Sequence, residues 1–144
     1  MFGRYYEDFT IEQVIIHWPG KTITESDNNM FSLLTMNHHP VHIDANYASK
    51  QQHGRILVVG TLVFSLVVGQ SVADISGKAI ANLGYQSVDH LSPVFIGDTI
   101  YSKSTVMSKR VSSSDPGRGI VTVKTEAWNQ SDRSVIAFQR SILV

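Results

Sequence analysis

The chain has 144 residues, enough for one domain with a sizeable core, and its 42% hydrophobic and 17% charged residues are typical of a folded globular protein. Twelve basic residues balance twelve acidic ones and no basic block is present, so nothing indicates a nucleic-acid surface. The lack of cysteine excludes disulfides, cysteine-based zinc sites and a cysteine nucleophile.

The N-terminal residues and the longest apolar stretch both argue against membrane targeting. Residues 1–8 lack the apolar segment of a signal peptide. The longest apolar stretch, residues 56–68, is interrupted by Gly60, Thr61 and Ser65 and is too short to span a bilayer. We therefore expect a cytoplasmic protein that does not bind membranes.

A first helix is predicted to begin after Thr24. The Thr24 hydroxyl can cap the free N–H groups of the first turn, and the acidic Glu25 and Asp27 suit the positive end of the helix dipole. Apolar residues follow at helical spacing, namely Met30, Phe31, Leu33 and Leu34. The helix should end before Pro40, because the residue before a proline disfavours helical angles.

A second helix is predicted over residues 59–73, after an irregular segment, residues 37–50, that has room for one helical turn. This helix is apolar on nearly every side, through Leu62, Val63, Phe64, Leu66, Val67, Val68 and Val72. Such a helix must be buried on most of its surface.

The last part of the chain is predicted to form strands, over residues 80–90, 99–110, 119–129 and 134–144. These segments are rich in Val, Ile, Thr and Tyr, and turn-forming residues separate them, including the polar loop 112–117. Long consecutive strands with short connections predict an antiparallel meander. A meander that curls round one buried helix is the hot-dog arrangement, of class α+β.

The polar chemistry of the chain is concentrated in residues 35–44, Thr-Met-Asn-His-His-Pro-Val-His-Ile-Asp. Three of the six histidines lie there. The segment precedes the pair Gly54-Arg55 and the start of the second helix, which makes it the main candidate for a functional site.

Three blocks of the sequence resemble the MaoC-like, (R)-specific enoyl-CoA hydratase family. Residues 37–42, Asn-His-His-Pro-Val-His, are similar to the family pattern D-x-N-P-[LIV]-H. The family's Gly-Arg pair and later glycine match Gly54, Arg55 and Gly60, and its P-V-x-x-G-D-T block matches residues 93–99. Because the blocks follow the family's order, the resemblance covers nearly the whole chain and implies a single MaoC-like hot-dog domain over residues 1–144.

The resemblance also implies roles for individual residues. His42 falls on the catalytic histidine, and Gly60 falls on the glycine whose backbone N–H binds the thioester oxygen. Arg55 is expected to hold a phosphate of CoA, and His39 and Val59 are expected beside the substrate. The implied reaction adds or removes water across a 2,3-enoyl thioester and needs no metal or organic cofactor, because the thioester itself acidifies the alpha proton.

The sequence departs from the family at Asn37, where the family has its catalytic aspartate. An asparagine can orient a water molecule but cannot act as a carboxylate base. Three arrangements stay open. His42 transfers the proton alone while Asn37 orients the water; or His38 or His39 serves as a second base; or a carboxylate enters the site, from Asp44, Asp27 or Glu25.

Other functions also stay open. A hot-dog thioesterase would release free CoA, and a non-catalytic acyl-CoA-binding or assembly subunit would explain Asn37. A zinc site of His38, His39 and His42 is a further alternative, although we expect no metal. The shortness of the domain favours a short or branched acyl group, such as a C4–C5 dicarboxylic one. Hot-dog domains pair their sheets edge to edge, so we expect a homodimer or a higher homo-oligomer.

Overall fold

The computed structural model describes residues 2–144, and within them a five-stranded sheet packs round one long helix. The helices are α1 (Glu25–Leu34), α2 (Pro40–Ile43), α3 (Ala45–Ser49) and α4 (Gly60–Ser71), and α4 continues into a π-helical turn (Val72–Ser76). The strands are β1 (Val14–Thr22), β2 (Ala81–His90), β3 (Thr99–Val111), β4 (Gly119–Trp128) and β5 (Ser134–Leu143).

Most of the predicted elements are confirmed. At the start of α1, the Asp27 N–H donates to the Thr24 hydroxyl (3.2 Å) and the Thr24 N–H donates to the Asp27 carboxylate (2.9 Å). This reciprocal pair is a capping box, which fixes where the helix begins. Residues 37–50 contain two short helices rather than one turn, because the side chains of His39 and Asp44 each cap a new start.

The order of the strands corrects the predicted meander. The sheet runs β1-β3-β4-β5-β2, with all neighbours antiparallel, so β2 lies at the edge beside β5 and not next to β3. The segment between β2 and β3 is not a hairpin, because it pairs with the residues before α4. The Val58 N–H donates to the Val94 carbonyl (2.9 Å), and Leu57 forms a bridge with Phe95.

Strand β1 was missing from the prediction. Its sequence contains Trp18-Pro19-Gly20, which reads as a break because proline and glycine interrupt regular pairing. The strand accommodates them with an irregularity in its register between His17 and Lys21, and it pairs with β3 on both sides of this irregularity.

The core lies between α4 and one face of the sheet. Leu62, Val63 and Val67 of α4 are buried against sheet residues such as Ile136 and Phe138. Each of these side chains stabilises the fold by about 1.5–3 kcal/mol relative to exposure. Helix α4 is therefore buried on most sides, as its composition predicts.

The face of α1 that packs against the core is not the apolar face that the sequence predicts. Leu34 is 77% exposed and Met30 is 60% exposed, whereas the polar Asn28 and Ser32 are buried. Only Phe31 of the predicted apolar face packs against the core. The polar face turns inward because Asn28 forms hydrogen bonds with two backbone groups there, so α1 leaves an apolar surface outside.

A buried polar network links β1 to the end of α4. His17 is 1% exposed; its Nδ1–H donates to the Asp74 carboxylate (2.7 Å), and its Nε2 lies 2.8 Å from the Ser104 hydroxyl. Burial lowers the pKa of His17 from its ordinary value of 6.5, with Asp74 opposing the shift and Arg140 and Arg4 adding to it. At neutral pH the ring in the folded protein is therefore neutral, and it accepts a hydrogen bond from Ser104 at Nε2.

This network predicts that stability falls on acidification. Because the pKa is lower in the folded than in the unfolded chain, the contribution is complete above pH 6.5 and is lost as the pH falls below that value. One proton gives a slope of at most about 1.4 kcal/mol per pH unit. Urea unfolding at pH 7.5 and 5.5 should show this loss, and His17→Gln should reduce it; an unchanged pH dependence in that variant would contradict the assignment.

Candidate active site

His42 lies on α2 with one ring nitrogen fixed by the backbone. Its Nδ1 lies 2.7 Å from the Leu57 carbonyl oxygen. A carbonyl can only accept, so Nδ1 carries the hydrogen, and in the neutral ring Nε2 is left as a proton acceptor. The Leu57 N–H in turn donates to the Val41 carbonyl (3.1 Å). His42 is thus oriented as a base whose free nitrogen is Nε2.

Asn28 joins His42 to the start of α4. Its Nδ2 donates to the His42 carbonyl (3.0 Å), and its Oδ1 accepts from the Val59 N–H (3.0 Å). Asn28 is 1% exposed and Val59 is 2% exposed, so the bond to the Val59 N–H is shielded from water, whereas His42 is half-buried. Sequence reasoning missed this residue. The only local signal was a polar side chain within a helix whose apolar residues suggested another inward face.

The N-terminus of α4 has unpaired donors. Val59, the residue before the helix, provides no side-chain cap, and within residues 2–144 the Gly60 N–H has no backbone acceptor. The first N–H groups of any helix lack partners inside the helix and carry its positive partial charge. The Gly60 N–H is therefore available to an electron-rich oxygen.

One cavity brings the base and the helix N-terminus together. It has a volume of about 300 Å³ and is lined by His42 and Gly60, by the end of β2 with His90, and by apolar residues that include Val63 and Val135. His90 was not among the predicted site residues. No motif surrounds it, and only the position of β2 at the sheet edge brings it to α4.

No carboxylate lines this cavity within the described residues. Asp27 is held elsewhere: Lys21 and the Thr24 N–H bind it and lower its pKa to about 2. Asp44 caps α3 by accepting from the Tyr47 N–H (2.9 Å), and Glu25 lines a different cavity. The three carboxylates considered from sequence are thus outside the His42 cavity.

The other predicted site residues do not line this cavity. Asn37 accepts a long hydrogen bond from the His39 N–H (3.4 Å), and the His39 ring lies 6.0 Å from that of His42, centroid to centroid. Val59 is buried. The Arg55 guanidinium lies 3.7 Å from the centre of the Phe95 ring, on the rim of the cavity that contains Glu25. The catalytic role of Asn37 and the substrate-binding roles of the other three residues stay predictions.

Residues 2–144 contain neither a metal-binding cluster nor a membrane-spanning helix. No cluster of three or more histidine, aspartate or glutamate residues in this part of the chain has a geometry that could hold a metal ion. His38, His39 and His42 therefore do not form such a cluster. No helix in the described part of the chain has the length and apolarity needed to cross a membrane.

Known proteins resemble this chain along nearly its whole length. The model of the MaoC like domain family matches residues 8–129. Over 142 residues the chain is 32% identical to mesaconyl-CoA hydratase of Cereibacter sphaeroides and 34% identical to beta-methylmalyl-CoA dehydratase of Chloroflexus aurantiacus. These alignments cover 99% of this chain but 41% and 40% of the relatives, so the chain spans about two fifths of their length.

Solved structures define the class of fold. A monoamine oxidase regulatory protein from Archaeoglobus fulgidus, 32% identical, superposes with a TM-score of 0.86 over 99% of this chain and 94% of that one. A Mycobacterium tuberculosis protein described as a double hot-dog fold, 24% identical, gives 0.89 over 99% of this chain and 44% of that one. The fold is thus a hot-dog fold of class α+β, as predicted.

The family match identifies the chain more closely. Because the family model covers most of the sequence, the chain belongs to the MaoC-like domain family. This confirms the resemblance that was predicted from the three sequence blocks.

Proposed function

We propose that this domain is the catalytic unit of a hydro-lyase that adds water to, or removes it from, a 2,3-enoyl-CoA thioester. One observation carries the proposal: His42, with Nε2 as the free basic nitrogen, and the unpaired Gly60 N–H share one cavity. The two groups match the two demands of the reaction, which are proton transfer and stabilisation of an enolate oxygen. The names of the two relatives, a hydratase and a dehydratase of CoA esters, support it.

The mechanism follows from these two groups. In the hydration direction, His42 Nε2 takes a proton from water while the water oxygen bonds to the beta carbon. The electron pair of the double bond moves onto the thioester oxygen, where the Gly60 N–H stabilises the negative charge. The imidazolium of His42 then returns its proton to the alpha carbon, so water is added on one face and the enzyme is regenerated.

A short acyl group is supported by the cavity and its rim. About 300 Å³ is at the small end of the range for ligand sites. The exposed Arg133 lies at the rim, where its Nε donates to the Ser92 hydroxyl (3.0 Å). A guanidinium there suits a second carboxylate on the acyl group, and we therefore propose C4–C5 dicarboxylic thioesters over simple ones.

We also propose that the domain works as at least a pair of hot-dog modules. Strand β2 is an edge strand, and Leu83, Tyr85 and Val88 on it are all exposed. An apolar edge strand invites pairing with another strand. Sedimentation equilibrium should give twice the mass of the chain or more, and a monomer at micromolar concentration would contradict the pairing.

The function is tested directly with thioesters of CoA. Crotonyl-, mesaconyl- and itaconyl-CoA should be followed by the absorbance of the enoyl thioester, with free CoA measured in parallel by a thiol reagent. We expect the absorbance to fall without release of CoA. Release of CoA would favour a thioesterase instead, and binding without turnover of any of the three would favour a non-catalytic acyl-CoA-binding module.

Asn37 does not line the cavity, so the role in orienting water that the sequence predicts for it has a separate test. Asn37→Asp restores the carboxylate that the family has at this position and should raise kcat about tenfold, whereas Asn37→Ala should lower it about tenfold. Steady-state kinetics of the two variants are compared with those of Asn46→Asp, which adds the same charge on the exposed surface of α3. Unchanged kcat in both Asn37 variants would remove this residue from the mechanism.

A further inference from the structure

His90 lies directly against the N-terminus of α4. A Cβ added to Gly60 would meet the His90 ring at 3.0 Å from Cε1 and 3.1 Å from Nε2. Glycine at position 60 is therefore what allows the imidazole to approach the helix end so closely. The two groups belong to different parts of the chain, since His90 is the last residue of β2.

The environment of His90 differs from the environments of His17 and His42. His17 is buried with two partners, and His42 is fixed by a backbone carbonyl. The His90 side chain is exposed to the cavity and has no hydrogen-bond partner within residues 2–144. The ring nitrogens of His90 are therefore free to bind a ligand in this cavity.

We propose that His90 is a second catalytic residue, whose imidazole N–H donates to the thioester oxygen together with the Gly60 N–H. This inference rests on the proposed function. Two donors beside one position stabilise developing negative charge better than a single one, because each adds a partial positive charge next to the oxygen. The neutral imidazole is sufficient for this role, since one of its nitrogens always carries a hydrogen.

The proposal explains how the site works without a carboxylate. With His42 as the sole acid–base group, the contribution of the family's second such group, the aspartate at position 37, is lost and must be replaced by better stabilisation of the enolate. A second donor to the oxygen lowers the energy of the enolate. More of the reduction of the barrier then comes from stabilising this oxygen and less from the base. His90 thus compensates for Asn37, although it is remote from it in sequence.

Three variants test this role. His90→Ala removes the donor, His90→Phe keeps a flat ring but has no donor, and His90→Gln keeps an N–H near the position of Nε2. We expect kcat to fall about 100-fold in His90→Ala and His90→Phe, with KM changed less than the turnover. His90→Gln should recover at least part of the loss. Thermal melting checks that the variants fold, which is expected because the side chain is exposed.

A spectroscopic readout tests the donor independently of turnover. Difference infrared spectroscopy of bound butyryl-CoA, a saturated thioester that cannot be hydrated, reports polarisation of the carbonyl. The C=O stretch should lie at lower frequency in the wild type and His90→Gln than in His90→Phe. Equal frequencies and equal kcat in all variants would overturn the role of His90 and leave the hydratase proposal intact. A wild type that hydrates none of the three enoyl thioesters would overturn the hydratase proposal itself.

Discussion

Replacing His42 with alanine is expected to lower kcat for hydration by about 100- to 10,000-fold, the range that general acid–base groups contribute. The reason is that His42 Nε2 is the free basic nitrogen at the cavity, where the described residues place no carboxylate. Stopped-flow or steady-state absorbance of the enoyl thioester measures the effect.

His42→Asn is the matched control for this prediction. The asparagine amide can donate to the Leu57 carbonyl as Nδ1 does, so the loop keeps its hydrogen bond, but it cannot accept a proton. We expect this variant to fold like the wild type and to be as inactive as His42→Ala. A kcat within tenfold of the wild type in either variant would remove His42 from proton transfer.

Replacing Asn28 with leucine is expected to destabilise the domain and misplace the site together. The change leaves the buried Val59 N–H and the half-buried His42 carbonyl without their partner. At about 1–3 kcal/mol for each unpaired group, the free energy of unfolding should fall by about 2–6 kcal/mol. Urea unfolding measures the loss, and kcat should fall as well because Asn28 holds the segment that carries His42.

Asn28→Asp separates the two hydrogen bonds. A carboxylate oxygen can still accept from the Val59 N–H, but the donor to the His42 carbonyl is lost. Because the buried carboxylate also loses its hydration and faces the His42 carbonyl oxygen, this variant should lose at least as much stability at neutral pH as Asn28→Leu, and it should regain stability on acidification, when the protonated oxygen can donate to that carbonyl. A free energy of unfolding for Asn28→Leu within about 0.5 kcal/mol of the wild type would show that these bonds do not hold the site.

Local patterns in the sequence were sufficient to predict β4 and α4. Strand β4 alternates buried and half-buried residues along its length, and α4 is apolar on nearly every side. The alternation in β4 has the period of two that is typical of a strand. A helix that is apolar on nearly every side must be buried on most of its surface. Both patterns depend only on the segment itself. The cap provided by the Thr24 hydroxyl is likewise local, and it too was predicted correctly.

The errors arise where contacts between distant segments decide the structure. Helix α1 turns Asn28 inward because the chain needs partners for backbone groups of α2 and of the residues before α4, which no pattern within α1 reveals. Strand β2 lies at the far edge because the segment after it pairs with residues 57 and 58. His90 reaches Gly60 only through that placement.

The candidate site was therefore predictable only in part. His42 and Gly60 were selected by resemblance, and the structure brings them to one cavity, although their chemical roles stay proposals. Asn28 and His90 lie in no motif and were missed. Asn37, His39 and Arg55 lie in the family blocks, where Asn37 and His39 differ from the family's residues, and none of the three lines the cavity. A sequence motif thus located the neighbourhood of the site, while the supporting groups needed the three-dimensional contacts.

Turnover of mesaconyl-CoA shows most directly whether this domain is a hydratase with His42 as its base. Purified protein should decrease the absorbance of the enoyl thioester, release no free thiol, and yield a product heavier than the substrate by one water, as measured by mass spectrometry. The same protein with His42→Asn should leave the substrate unchanged. If the folded wild type also leaves mesaconyl-, crotonyl- and itaconyl-CoA unchanged, this domain is not a hydratase of these thioesters by itself, and the account of its chemistry is wrong.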